Sequence, residues 1–275
     1  MTIKAVTFDL WLTLVWDSEE LEEYRRLRRL INFHRFAKKY ADKEKKFGFN
    51  NVRLALEELS VRVQARYEKN FDVHPRERGK MLFEILDFKL PKSEESEIFE
   101  RAGEILSNSG YTKKYPHVNP EAKPTFKMLK EEFPGMKIGL ISNAARSAVT
   151  YGRMLRAFGI AQYFDDLTIS CEIGYLKPRK EIFESSLRAL SVKPEEALHV
   201  GDLFKADVLG ATSCGMHAAL YTGLWHKYAQ YMNTGEHIPE NFHPRTSKIL
   251  VSEISKLQES AELVRKISSS SQTTA

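Results

Sequence analysis

The chain has 275 residues, of which 42% are hydrophobic and 29% charged; that suits one large or two modest domains and is too apolar for a disordered polypeptide. Its 42 basic and 37 acidic residues leave a net charge of +5, a slight bias toward anionic partners that does not by itself argue for nucleic acid. No apolar run approaches the roughly 18–20 residues of a membrane span, no leader-like pattern is read at the start, and Cys171 and Cys214 are too far apart to make a metal spacing, so a cytoplasmic, reduced protein without membrane or nucleic-acid partner is expected.

Ala5-Val6-Thr7-Phe8 is a short β-branched and aromatic run that reads as a buried strand with Asp9 at its C-terminal tip. From Asp17 to about Tyr40 the pattern turns helical, with Leu21, Tyr24, Leu27 and Ile31 as the apolar stripe and Ser18 as the cap. Its basic run, Arg25-Arg26-Leu27-Arg28-Arg29, is read as a solvated face, because Glu22 stands three and four residues before Arg25 and Arg26. Further helices are expected over Val52 to about Tyr67, Pro75 to Phe88 and Ser93 to Leu106. The span 17–117 thus predicts an all-helical insertion after the first strand.

Strands and helices then alternate. A helix over Pro120–Glu132 stops at Pro134-Gly135. Strands are predicted at Lys137–Ser142, Asp166–Cys171, Ala197–Asp202 and His217–Tyr221, with helices at Ala144–Phe158, Lys180–Leu190 and Ala206–Cys214 between them. Such alternation implies right-handed crossovers and a parallel sheet. After Trp225 the chain reads mostly as loop, with a last amphipathic helix over Val251–Ile267 and a polar, disordered tail at 268–275. The expected architecture is therefore α/β: a Rossmann-like parallel core from 1–16 and 118–267, with a helical cap domain at 17–117.

In a parallel sheet the carboxyl ends of the strands face one crevice. Asp9, Ser142 and Asp202 would share that edge, with Lys177 on a nearby loop and Asp207 five residues beyond Asp202. Two unit charges about 4 Å apart repel by about 4 kcal/mol at an effective dielectric near 20, so three carboxylates need a cation among them. Lys177 and a divalent ion are the candidates, and oxygen-only donors favour Mg2+. The same set suits phosphoryl transfer to a carboxylate nucleophile.

Four segments carry a family resemblance: Phe8-Asp9-Leu10-Trp11-Leu12-Thr13-Leu14; Leu140-Ile141-Ser142-Asn143; Glu172-Ile173-Gly174-Tyr175-Leu176-Lys177-Pro178; and His199-Val200-Gly201-Asp202, followed by Asp207, Gly210-Ala211 and Gly215-Met216. In this order the chain resembles the haloacid dehalogenase-like hydrolase superfamily. The resemblance implies Asp9 as nucleophile and Mg2+ ligand, the Trp11 backbone carbonyl and Asp202 as further ligands, and Asp207 as a residue orienting the metal's waters or Lys177. It implies Ser142, Asn143 and Lys177 as binders of a small phosphorylated substrate, with Thr13 hydrogen-bonding near Asp9.

Trp11 departs from the pattern. Phosphatases of the superfamily usually have an aspartate two residues after the nucleophile, which protonates the leaving group and activates water. Indole does neither. Trp11 either packs under the cap or lines the substrate pocket, and His34 and His74 are alternative proton carriers. Leu12 also replaces a common glycine. An aromatic at position 11 resembles the dehalogenase branch, but the tyrosine of that branch is here Phe183, and Gly201-Asp202 is retained. A magnesium-dependent phosphatase or phosphotransferase is the leading expectation. A 2-haloacid dehalogenase and a weakly catalytic or non-catalytic phospho-ligand binder are the alternatives. The sequence leaves the oligomeric state open.

Overall fold

The computed structural model describes residues 2–41, 47–108, 114–227, 237–244, 246 and 248–270. Six parallel strands form the main sheet: β1 (Ala5–Phe8), β4 (Lys137–Ser142), β5 (Asp166–Ile169), β6 (Ala197–Gly201), β7 (His217–Tyr221) and β8 (Val251–Ile254). Their order is β5-β4-β1-β6-β7-β8, with Phe8 level with Leu140 on one side and Val200 on the other. The first strand is thus central, and chain order reverses across it, which is where a crevice opens in such sheets.

Alternation along the strands builds two apolar layers. Val6, Phe8, Ile138, Leu140, Leu198 and Val200 pack with Phe126 and Leu129 of α5 (Ala122–Glu132), Tyr151 and Met154 of α6 (Ala148–Ala157) and Val264 of α10 (Glu259–Ser270). Ala5, Ile141, Ala218 and Leu220 pack on the other side with Ile182, Phe183 and Leu187 of α8 (Lys180–Leu190) and with Ala211 of α9 (Gly210–Ser213).

Four helices, α1 (Glu19–Ala37), α2 (Phe49–Tyr67), α3 (Pro75–Ile85) and α4 (Glu95–Asn108), make a separate layer with its own core. Phe83 is its centre, with ring centroids 5.8 Å from those of Phe33, Tyr40 and Phe88. The helices α3 and α4 cross closely because Gly79 and Gly103 meet there; a Cβ on Gly79 would lie 2.8 Å from Gly103 N. The two chain ends of this layer join at a ribbon of β2 (Val15–Trp16) and β3 (His117–Val118), antiparallel with Trp16 level with His117. Among the described residues no helix is long and apolar enough to cross a membrane.

Several expectations change. Val251–Ile254 is a sixth strand rather than the start of the last helix, which runs Glu259–Ser270 and so takes in 268–270; residues 271–275 of the expected tail lie outside the described residues. The expected strand Asp166–Cys171 ends at Ile169 and turns into α7 (Ser170–Ile173). The helix after β6 begins as a π-helical stretch, Phe204–Leu209. Helix α4 starts at Glu95, past Ser93, and Ser18 precedes α1 without a side-chain capping bond. The stripe predicted for α1 is also displaced: Leu27 is 54% exposed, whereas Arg25 is 2% exposed. The ion pair of Arg25 with Asp17 makes that burial tolerable, so the basic run is not simply a solvated face.

Candidate active site

At the tip of β1 the Asp9 amide continues the sheet by donating to Val200 O at 2.8 Å. The chain then turns tightly. Leu12 N donates to Val15 O, Leu14 N and Val15 N donate to Leu10 O, and Leu12 has φ +58°. That left-handed backbone is where the superfamily commonly has glycine, and it costs an L-residue roughly 1 kcal/mol.

Asp9, Lys177, Asp202 and Asp207 converge as expected. Lys177 Nζ lies 2.6 Å from Asp9 Oδ1 and 2.5 Å from Asp207 Oδ1, and all three side chains are buried. Asp207 also accepts from Leu203 N at 2.9 Å and faces His199 Nε2 at 3.1 Å, while His199 Nδ1 meets Thr7 Oγ1 at 2.9 Å. Burial pushes the Asp9 carboxyl up to about 6, against the pull of Lys177. Burial opposes the charge of Lys177 too, yet the Asp207 and Asp9 carboxylates hold it above its ordinary value. Asp207 is held below its ordinary value in spite of burial, by Lys177 and His199.

Asp202 is different. It is buried, makes no ion pair among the described residues, and is pushed well up by burial and by the charges of Asp9 and Asp207. The donor set therefore fits a divalent cation. Asp207 is committed to Lys177 and His199, and no group of three His, Cys, Asp or Glu side chains is arranged for a metal among the described residues. What remains is Asp202 and the second oxygen of Asp9, whose Oδ1 holds Lys177, and one or two carboxylates are what Mg2+ ordinarily takes from a protein.

The other expected residues divide. Ser142, at the tip of β4, has a buried hydroxyl with no hydrogen-bond partner among the described residues. Asn143 holds the lysine loop: its Nδ2 donates to Lys177 O at 3.1 Å, and its Oδ1 accepts from Lys177 N at 2.7 Å. Thr13 does not make the expected hydrogen bond near Asp9: its hydroxyl is buried without a partner among the described residues, and its carbonyl accepts from Asn119 Nδ2. Trp11 lines the cleft, and burial raises the Tyr151 hydroxyl above its ordinary value. His34 stacks on Phe47 and Phe49, and His74 caps α3, so neither lines the cleft. Phe183 is buried, edge-on to His199. Both cysteines are free.

The cleft has a volume of about 990 Å³ and runs between the sheet edge and the helical layer. Asp9, Trp11, Lys177 and Asp202 floor it; Arg25, Arg29, Leu56, Leu59, Val63 and Tyr67 roof it. Sequence reasoning missed the roof and missed Asp17, which lines the same cleft. Their only signal was the unusual density of arginine in α1.

A parallel sheet with an acid-and-lysine cluster at its switch point, roofed by inserted helices, defines a hydrolase-like α/β architecture. The family model of haloacid dehalogenase-like hydrolases matches residues 3–215, and the chain belongs to that family. A glyceraldehyde 3-phosphate phosphatase of Methanopyrus kandleri is 32% identical over 216 residues, 78% of this chain and 82% of that one. Among solved structures, a 2-haloacid dehalogenase from Pseudomonas syringae pv. Tomato DC3000 superposes with a TM-score of 0.64 at 21% identity, covering 96% of this chain and 99% of that one. A HAD phosphatase from Thermococcus onnurineus gives 0.54 at 21% identity, covering 95% and 98%. These two likenesses speak for the fold.

Proposed function

We propose that the protein is a magnesium-dependent phosphatase that cleaves a small phosphorylated organic substrate by way of a phosphoryl group carried on Asp9. The observation that carries this reading is the buried Asp9–Lys177–Asp207 cluster, with Asp202 in the same cleft and in no ion pair among the described residues. The similarity to the Methanopyrus kandleri phosphatase supports it, and makes triose phosphates the first substrates to try.

Asp9 attacks phosphorus, and Lys177 offsets the like-charge repulsion between that carboxylate and the phosphate dianion. Asp207 fixes Lys177 from behind, and Asn143 fixes its backbone. The Ser142 hydroxyl is the donor for a phosphoryl oxygen. Asp9, Asp202 and the Trp11 carbonyl are the residues that would hold Mg2+, with Asp207 orienting from behind; bound there, the ion supplies charge neutralisation and Lewis acidity to the phosphoryl oxygens. The helical layer at 17–117 serves as a cap that excludes water and contacts the remainder of the substrate. An intracellular location belongs to the same reading and is supported by the free cysteines.

Turnover of p-nitrophenyl phosphate tests the reading, measured with Mg2+, with chelator and in Asp9→Asn. Phosphate release only by wild type with Mg2+ is expected. Equal rates in every arm, or halide release from 2-haloacids without metal, would overturn it.

A further inference from the structure

The proposed chemistry needs a proton for the departing oxygen, and the residue where the superfamily usually keeps it is Trp11, whose indole donates but does not usefully ionise. Six residues later the chain delivers a carboxyl group to the same cleft. We propose that Asp17 is the general acid–base residue of this enzyme, a role that rests on the phosphatase reading above.

Three observations lead there. Asp17 follows β2 and lines the cleft together with Asp9 and Trp11. Its two oxygens are inequivalent: Oδ2 is held by Nη1 of the buried Arg25, while Oδ1 is buried and has no hydrogen-bond partner among the described residues. One oxygen thus anchors the group, and the other is left to exchange a proton. Finally, the other candidates lining the cleft are committed or solvated. Asp202 and Asp207 belong to the cluster around Lys177. Glu22, Glu23 and Glu57 are exposed on the helical layer. The Tyr67 hydroxyl is engaged by Arg78 and Asp72. Burial raises the Asp17 carboxyl above its ordinary value, partly opposed by Arg25 and Arg146, which is the direction a proton carrier requires.

In the first step an Asp9 oxygen bonds to phosphorus, the ester P–O bond breaks, and the proton on Asp17 passes to the leaving alkoxide, which departs as the alcohol. In the second, Asp17, now ionised, takes a proton from the water that attacks phosphorus. The P–O bond to Asp9 then breaks, releasing phosphate and the free Asp9 carboxylate and leaving Asp17 protonated for the next turnover.

Leaving-group dependence separates this role from a structural one. In Asp17→Asn, kcat/KM for glycerol 1-phosphate, whose alkoxide needs the proton, should fall about 10²–10⁴-fold. For p-nitrophenyl phosphate, a stable leaving group, the fall should be less than about tenfold, while kcat drops and a burst of nitrophenol appears as phosphorylated Asp9 accumulates. Arg25→Gln breaks the same ion pair but keeps the carboxyl, and should lower both substrates in similar proportion. Adding Trp11→Asp to Asp17→Asn restores the alkyl substrate selectively. Should Asp17→Asn unfold, Asp17→Glu retains the pair and the ionisable group, and must still lower the alkyl-to-aryl ratio. Equal losses on both esters, or an unchanged ratio in both Asp17 variants, would overturn the assignment. The phosphatase reading would survive that outcome, since Mg2+- and Asp9-dependent aryl turnover establishes it separately.

Discussion

Replacing Gly201 with alanine asks whether the fourth signature's glycine exists to let Asp207 reach Lys177. A Cβ built on Gly201 would lie 2.5 Å from Asp207 Oδ2 and 2.7 Å from its Cβ, with Cγ closer still. Ordinary contacts between such atoms are about 3.5–4.0 Å, so the carboxyl group must retreat by roughly 1 Å. Its bonds to Lys177 Nζ (2.5 Å), Leu203 N (2.9 Å) and His199 Nε2 (3.1 Å) cannot all survive such a shift within the usual hydrogen-bond range. Overpacking costs about 1–3 kcal/mol, and disruption of a buried charge pair costs about 3–5 kcal/mol when one partner is lost outright. The displacement is partial, so a loss of about 3–4 kcal/mol is expected. Misplacing Lys177 by a comparable distance should lower kcat about 10²-fold. Urea unfolding should show a lower midpoint at unchanged slope, and steady-state turnover of p-nitrophenyl phosphate gives the kinetic loss. Asp207→Gly removes the three atoms nearest the new methyl, so Gly201→Ala made in that background should cost less than about 1 kcal/mol. The same penalty in both backgrounds, or wild-type behaviour of Gly201→Ala alone, would refute the reasoning.

The segment carrying Lys177 is also tied to the helical layer. Asp72 accepts from Arg78 Nη2 at 2.7 Å and from Ser170 Oγ, Asp72 N donates to Gly174 O, and Leu176 N donates to Asn70 O. Asp72→Ala should cost about 3–5 kcal/mol by stranding Arg78 and should lower kcat along with the urea midpoint; a stability loss with kcat untouched would show that the tie does not reach Lys177. Gly103→Ala drives a methyl into the Pro75 carbonyl and to 2.8 Å from Arg76 N, so thermal unfolding should show a loss of about 1–3 kcal/mol. His217 is buried, accepts from Leu250 N at 2.8 Å through Nδ1, and has its pKa lowered by burial. The unfolded chain therefore binds the proton first: the stability from neutral His217 is complete above about pH 6.5 and is lost as pH falls toward the depressed folded value, by up to about 1.4 kcal/mol per pH unit. The melting temperature of wild type should fall more steeply than that of His217→Gln between pH 7 and 5; parallel curves would contradict this.

What the sequence determined by itself was whatever repeats or ends locally. The buried runs Lys137–Ser142 and His217–Tyr221 and the amphipathic Lys180–Leu190 were legible to the residue, because strand and helix periodicities are set by neighbours a few positions apart. The meeting of Asp9, Lys177 and Asp202 at one cleft was legible too, since parallel strands joined by crossovers must end on one edge. Tertiary structure alone decided the rest. Val251–Ile254 is a strand because it pairs with β7. Arg25 turns inward, and Leu27 outward, where Asp17, 8 residues earlier at the end of β2, forms its ion pair. How the turn after β1 packs leaves the Thr13 hydroxyl without a partner among the described residues and sets Trp11 at the cleft. Each of these depends on which surfaces meet across the fold, and burial of a charge is favourable only where its counter-charge arrives with it.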